Sequence, residues 1–217
     1  MKLKICGMKY PENMIAVADL QPNYLGFIFH EKSPRFLNDK IPTLPDDIIK
    51  TGVFVNVSEE FIVKKVEEYK LAAIQLHGEE SPGFCSALKS KLSSRAQSGD
   101  LTLIKVFSIK DDFNFDVLKP YEKIADYFLF DTKGQLPGGN GYTFDWSILK
   151  GYPSKTPFFL SGGIGIDEVE KIVEISNTDL PVYAIDVNSR FEIAPGQKNI
   201  EQLKEFKNKL SGLLKHR

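Results

Sequence analysis

The sequence predicts an α/β chain of a single domain, residues 1–217, folded as a (β/α)8 TIM barrel. Three observations predict it. Eight short apolar runs alternate with segments of helical periodicity, the spacing of parallel βαβ units. The seventh run, Phe158-Phe159-Leu160, breaks into Ser161-Gly162-Gly163 and then opens a helix pattern at Asp167. The eighth ends at Asp186 and is followed by the turn and capping residues Asn188 and Ser189. Glycines straight after a buried strand let the backbone approach a ligand, and a turn into a helix N-terminus suits a phosphate. Two successive strand ends of this kind form the recurring phosphate site of a (β/α)8 barrel. An open doubly wound sheet is the alternative topology, and eight units without a break favour closure.

The first strand lies in the stretch 3–8 and ends at Gly7. Pro11 suits a helix start, and Met14, Ile15, Val17 and Ala18 give that helix an apolar face. Residues 24–29 form the second strand, followed by a loop carrying His30, Ser33 and Arg35. A weak helix with Ile41, Leu44, Ile48 and Ile49 is expected before the third strand at 52–56. Ser58 then caps a helix bearing Ile62, Val63, Val66 and Tyr69. The fourth strand, 72–76, ends in His77-Gly78, and Ser81-Pro82 opens the next helix. Its C-terminal part, 93–100, is polar and loop-like. The fifth strand is 103–107, with a helix through Phe113, Phe115, Val117, Leu118 and Tyr121 behind it. The sixth, 127–131, precedes a long glycine-rich loop with Gly134, Gly138, Gly139 and Gly141. Asp145-Trp146 begins a short helix ending near Gly151. A helix from Asp167 to about Ile175 leads to the eighth strand, and the last helix runs from about Asn199 to Leu214.

A net charge of −1 gives no reason to expect a nucleic acid partner, so any anion site must be local. Two cysteines far apart, Cys6 and Cys85, do not make a disulfide scaffold, and reduced thiols in the cytoplasm are expected. There is no secretory h-region at the start and no apolar stretch of membrane-spanning length, so no membrane association is expected.

In a barrel of this class the C-terminal strand ends line the active site. That rule selects Cys6, Phe29 with the Arg35 loop, Asn56, Gln75 and His77, Lys105, Asp131, residues 161–163, and Asp186 with Ser189. A free cysteine is often a small buried hydrophobe, but one at a strand end before Gly7 is also placed for chemistry. Cys85 stands among Phe84, Ala87 and Leu88 and reads as packing. Asp131 ends four apolar residues beside a glycine loop, the setting of a raised-pKa acid or of a turn cap. Arg35 can anchor an anion or pair with Glu31, and Lys105 can face the site or snorkel past the core. His77 can be a turn residue. No His or Cys stands near it at ligand spacing, so no metal is expected.

The segments 4–8, 26–29 with 33–35, 52–56, 74–78, 130–131, 138–141, 144–146, 160–163, 185–189 and 195–199 follow one order along nearly the whole chain. In that order and number they resemble the phosphoribosylanthranilate isomerase family of tryptophan biosynthesis. The resemblance implies an Amadori rearrangement of N-(5-phosphoribosyl)anthranilate, with no cofactor and no metal. It implies Cys6 as general base and Asp131 as general acid. It further implies Arg35 on the anthranilate carboxylate, Asp186 orienting the phosphosugar substrate with Gln75 and His77 beside it, and Gly162, Gly163, Ser189 and Arg190 at the phosphate. The base role requires a thiol pKa depressed from about 8.5, and the acid role the opposite shift. Monomer and homodimer are both compatible with the sequence. Two positions depart from the family: Asn140 stands where threonine is usual, and Arg190 where glycine is usual. Arg190 then either points away or adds a charge to the phosphate. Two other readings compete. A different phosphosugar barrel enzyme is expected to use paired carboxylates, a lysine or a metal, and a histidine-biosynthesis isomerase paired aspartates at strands one and six. A phosphometabolite-binding protein on the same scaffold would need neither Cys6 nor Asp131.

Overall fold

The computed structural model describes residues 1–93, 101–110, 112–132 and 145–215. The glycine-rich loop at 134–141, including Asn140, and most of the polar stretch at 93–100 lie outside the described residues. Eight parallel strands close into a barrel in sequence order, β1 (Lys2–Ile5), β2 (Tyr24–Ile28), β3 (Ile49–Phe54), β4 (Ala73–Leu76), β5 (Thr102–Ile109), β6 (Tyr127–Thr132), β7 (Phe158–Leu160) and β8 (Val182–Val187). The seam joins β8 to β1, with Lys4 opposite Asp186. Helices α1 (Pro11–Ala18), α2 (Glu59–Tyr69), α3 (Pro82–Ser93), α4 (Val169–Ser176) and α5 (Ile200–Lys215) pack outside. None of the described helices is long and apolar enough to cross a membrane.

The local signals act as expected where caps define an end. Pro11 opens α1, and the Ser58 hydroxyl accepts from the Phe61 N–H at 3.3 Å to start α2. They fail between β2 and β3. The helix expected around Ile41 and Leu44 is absent, and Ile49 already belongs to β3. Pro42 and Pro45 each remove an amide donor and push the preceding residue out of the helical region, so no ladder forms there. The described parts of the connections after β5 and β6 hold 3-10 turns at Phe115–Tyr121 and Trp146–Gly151, the first with Pro120 inside it. A small antiparallel hairpin, β9 (Glu192–Ala194) with β10 (Gln197–Lys198), follows β8 and was not expected. Its turn holds Gly196 at φ +84°, a conformation glycine reaches without strain.

Strand alternation sorts side chains into two cores. Outside the barrel wall, Phe130, Tyr152 and Phe158 meet pairwise at 5.5, 5.1 and 5.2 Å. Such ring pairs add roughly 0.5–1.5 kcal/mol each beyond their buried area. Inside it, Tyr24, Ile104, Val106, Leu129, Phe159 and Ala184 fill the lower barrel. That plug closes one end and leaves the polar inward residues at the other.

Candidate active site

The C-terminal mouth of the barrel holds a pocket. Cys6 enters it from the end of β1, Arg35 from the loop after β2, Gln75 and His77 from β4, and Asp131 from β6. Gly162 and Gly163 follow β7, and Asp186, Ser189 and Arg190 close the circle from β8 and its loop. Ile28 and Val53 give it an apolar wall.

Three residues of the strand-end list fall elsewhere. Phe29 packs face to face with Phe54 at 5.3 Å in the outer core. Asn56 has φ +50°, and its side chain accepts from the Glu79 N–H at 2.7 Å, so it builds a turn. Lys105 is drawn away by the carbonyls of Leu76 (3.2 Å) and Gly78 (2.7 Å) and the Glu80 carboxylate (3.1 Å). Cys85 is fully buried, as packing.

Lys4 lies two residues before Cys6 and therefore on the same, inward face of β1. It is fully buried, its ammonium donates to Asp186 Oδ2 at 2.9 Å, and it also interacts with the Cys6 thiol. Burial lowers the Lys4 pKa, but Asp186 and Cys6 outweigh it, and Lys4 is held charged above its ordinary value. Burial raises the Cys6 thiol, and Lys4 and Lys198 pull it down only in part. The depressed thiol expected from the sequence is thus corrected: Cys6 holds its proton more tightly than a free cysteine, because desolvation exceeds the help of two cations. Asp186 is likewise raised by burial, against the pull of Lys4. Its Oδ1, buried, has no partner among the described residues.

Across the pocket, the Gln75 amide donates to His77 Nδ1 at 3.2 Å. The other ring nitrogen, Nε2, lies 3.4 Å from Asp131 Oδ2. Asp131 Oδ1 accepts from the Thr132 N–H at 2.9 Å. The carboxyl is fixed on one oxygen and faced by the His77 ring on the other.

Arg35 does not pair with Glu31. Its Nε donates to Glu192 at 2.8 and 3.0 Å and its Nη2 at 2.6 Å, a side-on fork. Glu192 also accepts from Lys198 Nζ at 2.7 Å and the Gly196 N–H at 3.0 Å. Neither Glu192 nor Lys198 was selected from the sequence, since the hairpin that presents them has no periodicity to read. Lys4 had a signal: a cation at period two from Cys6 in an apolar strand.

At the β7 and β8 ends, Gly162 and Gly163 have φ +89° and +65°. Their backbone N–H groups meet no protein acceptor among the described residues. The helix terminus beyond them is less available than expected: Glu168 accepts the Gly165 N–H at 2.7 Å, a capping contact. Arg190 folds over this turn, with Nη2 3.6 Å from Asp167 Oδ2. No group of three or more metal-ligand side chains occurs among the described residues.

The sequence model of N-(5'phosphoribosyl)anthranilate (PRA) isomerase matches residues 3–209. The chain is 44% identical over 214 residues to N-(5'-phosphoribosyl)anthranilate isomerase from Parabacteroides distasonis, covering 95% of this chain and 91% of that one. Among solved structures it is similar to phosphoribosyl anthranilate isomerase from Thermus thermophilus, with a TM-score of 0.82, 26% identity and coverage of 98% and 100%. It is also similar to a phosphoribosyl anthranilate isomerase solved in complex with reduced 1-(o-carboxyphenylamino)-1-deoxyribulose 5-phosphate, with a TM-score of 0.77, 26% identity and coverage of 98% and 99%. A match that runs from β1 into α5, shared with relatives that align end to end, places this chain in the N-(5'-phosphoribosyl)anthranilate isomerase family.

Proposed function

We propose that the chain converts N-(5-phosphoribosyl)anthranilate into 1-(2-carboxyphenylamino)-1-deoxyribulose 5-phosphate, a step of tryptophan biosynthesis, by general acid–base catalysis. The observation that carries the mechanism is the convergence of Cys6 and Asp131 on one pocket, between Arg35 and the Gly162-Gly163 turn.

The substrate carries an anion at each end. Its phosphate sits at the open N–H groups of Gly162 and Gly163, with Ser189 and Arg190 beside them, and its carboxylate sits at Arg35. Asp131, protonated, gives its proton to the furanose ring oxygen, and the C1–O bond breaks to leave a Schiff base. Cys6 as thiolate takes the proton from C2, and the electron pair moves toward nitrogen to give an enolamine. C1 then gains a proton, the C2 hydroxyl loses one, and the ketone forms with no net change in protons. Lys4 is the nearest cation to offset the thiolate, in a pocket where burial opposes it. Asp186 Oδ1 and Gln75 Oε1, both buried and unpartnered, are acceptors for sugar hydroxyls.

The test follows anthranilate fluorescence while phosphoribosylanthranilate is generated in place. Wild type is expected to consume it rapidly. Cys6→Ala and Asp131→Asn are each expected to slow it by roughly 10²–10⁴-fold, the usual worth of a positioned acid or base. Binding of the product analogue by wild type without turnover would leave a phosphometabolite-binding protein instead.

A further inference from the structure

Glu192 is a buried carboxylate behind Arg35, a residue that lines the pocket, and the mechanism gives it no part. Two roles are open to it. It competes with the substrate carboxylate for Arg35, or it holds Arg35 ready for that carboxylate.

The geometry separates them. A guanidinium offers five N–H donors in two forks. Glu192 takes the side-on fork, Nε with Nη2. Nη1 has no acceptor among the described residues, and Arg35 still lines the pocket. The end-on edge, Nη1 with the second Nη2 hydrogen, is therefore available while Glu192 stays in place. Glu192 is also tightly held. Its side chain is 5% exposed, and Lys198 and the Gly196 N–H bind it from the hairpin. Lys198 in turn donates to Asn188 Oδ1 at 2.7 Å, and its main chain is clamped by Asn13 at 2.8 and 2.9 Å. Displacing Glu192 would strand the buried Lys198 ammonium without its counter-ion, a costly step. The Gly7 backbone closes the far side, since a Cβ there would lie 2.7 Å from Arg35 Cδ. Arg35 is thus gripped from behind with one edge open, and the Arg35, Glu192 and Lys198 charges sum to +1.

We propose that Glu192 is a positioning residue for substrate selection: it fixes the plane of Arg35 so that the end-on fork accepts the aryl carboxylate. It thereby sets the preference for carboxylated N-aryl aminosugar phosphates over uncarboxylated ones. This rests on the isomerase reading above.

The test titrates the full chain with two ligands, the reduced product analogue and the same compound lacking its carboxylate. In wild type, losing the carboxylate is expected to weaken binding by about 10–100-fold, the range of a charge-assisted hydrogen-bond pair. In Glu192→Gln that ratio is expected to shrink to about threefold or less, with the uncarboxylated ligand bound as in wild type. KM should rise about tenfold or more while kcat stays within about threefold, because the proton-transfer groups are untouched. If the single variant folds poorly, Glu192→Gln/Lys198→Met removes both buried charges and is read by the ratio of the two ligand affinities alone, because Lys198 also acts on the Cys6 thiol. Equal weakening of both ligands would reduce Glu192 to a structural role and overturn the proposal. Tighter binding of the carboxylated ligand in the variant would make Glu192 a competitor and also overturn it. Wild type that binds neither ligand would remove the isomerase reading itself, and this proposal with it.

Discussion

Cys6 and Lys4 show how one residue's chemistry depends on its neighbour. The thiol is raised by burial, and Lys4 and Lys198 are the cations that oppose the rise. A base whose pKa lies above ambient pH works better as pH climbs toward it. Lys4→Met removes a lowering influence and leaves Asp186, which raises the thiol further. The acid limb of kcat/KM is therefore expected to move to higher pH, with a loss of activity at pH 7 that alkali recovers. Alkylation of Cys6 by iodoacetamide should shift alike. A loss that no rise in pH repairs, in a variant that still melts cooperatively, would rule out this role for Lys4. Arg190 is a weaker case. Its partner Asp167 lies 3.6 Å away, and the two side chains are 41% and 78% exposed, so water and salt screen the pair and Arg190 gives it up easily to a phosphate. Arg190→Gly is expected to keep kcat/KM within about tenfold, at most ~1.4 kcal/mol. A larger fall would mean that the arginine has become necessary.

At the scale of elements, the turn from β7 to α4 carries the strictest demand. Gly162 combines φ +89° with a missing Cβ that would stand 2.2 Å from Thr132 Oγ1 and 2.5 Å from Thr132 N. Its smallness lets the β7 end lie against the β6 end, next to Asp131, and so serves the scaffold as well as the phosphate. Gly162→Ala is expected to cost about 2 kcal/mol or more, from backbone strain and the clash together. Gly83→Ala in α3 is the control, since its Cβ meets nothing closer than Ser81 Oγ at 3.8 Å. That change should be neutral or slightly stabilising in urea unfolding. If the two variants unfold at the same urea concentration, the packing argument for Gly162 fails. The β9–β10 hairpin is the opposite kind of element. It is only five residues of strand, yet it supplies Glu192 and Lys198. Elements that short leave no pattern to read. The false helix between β2 and β3 came from apolar spacing at Ile41, Leu44 and Ile48, which Pro42 and Pro45 override.

For the whole molecule, the eight strands, their order and the polar mouth were determined by the sequence. Each strand is a short apolar run read locally, and a parallel sheet closed by helices follows from their alternation. The residues that line the pocket were legible for the same reason: barrel geometry sends strand C-termini to one face, so Cys6, Gln75, Asp131 and Asp186 could be placed together from their positions in the runs. What each residue does electrically could not be read this way. The raised Cys6 thiol, the pairing of Lys4 with Asp186 and the withdrawal of Lys105 from the mouth depend on burial and on partners that lie far away in sequence, Asp186 for Lys4 and Glu80 for Lys105. Arg35 is the sharpest instance, because Glu31 is its neighbour in sequence and Glu192 its neighbour in space. Local periodicity decides which way a side chain faces. Only the closed barrel decides which charges meet without water between them, and desolvation, not sequence distance, sets what those meetings are worth.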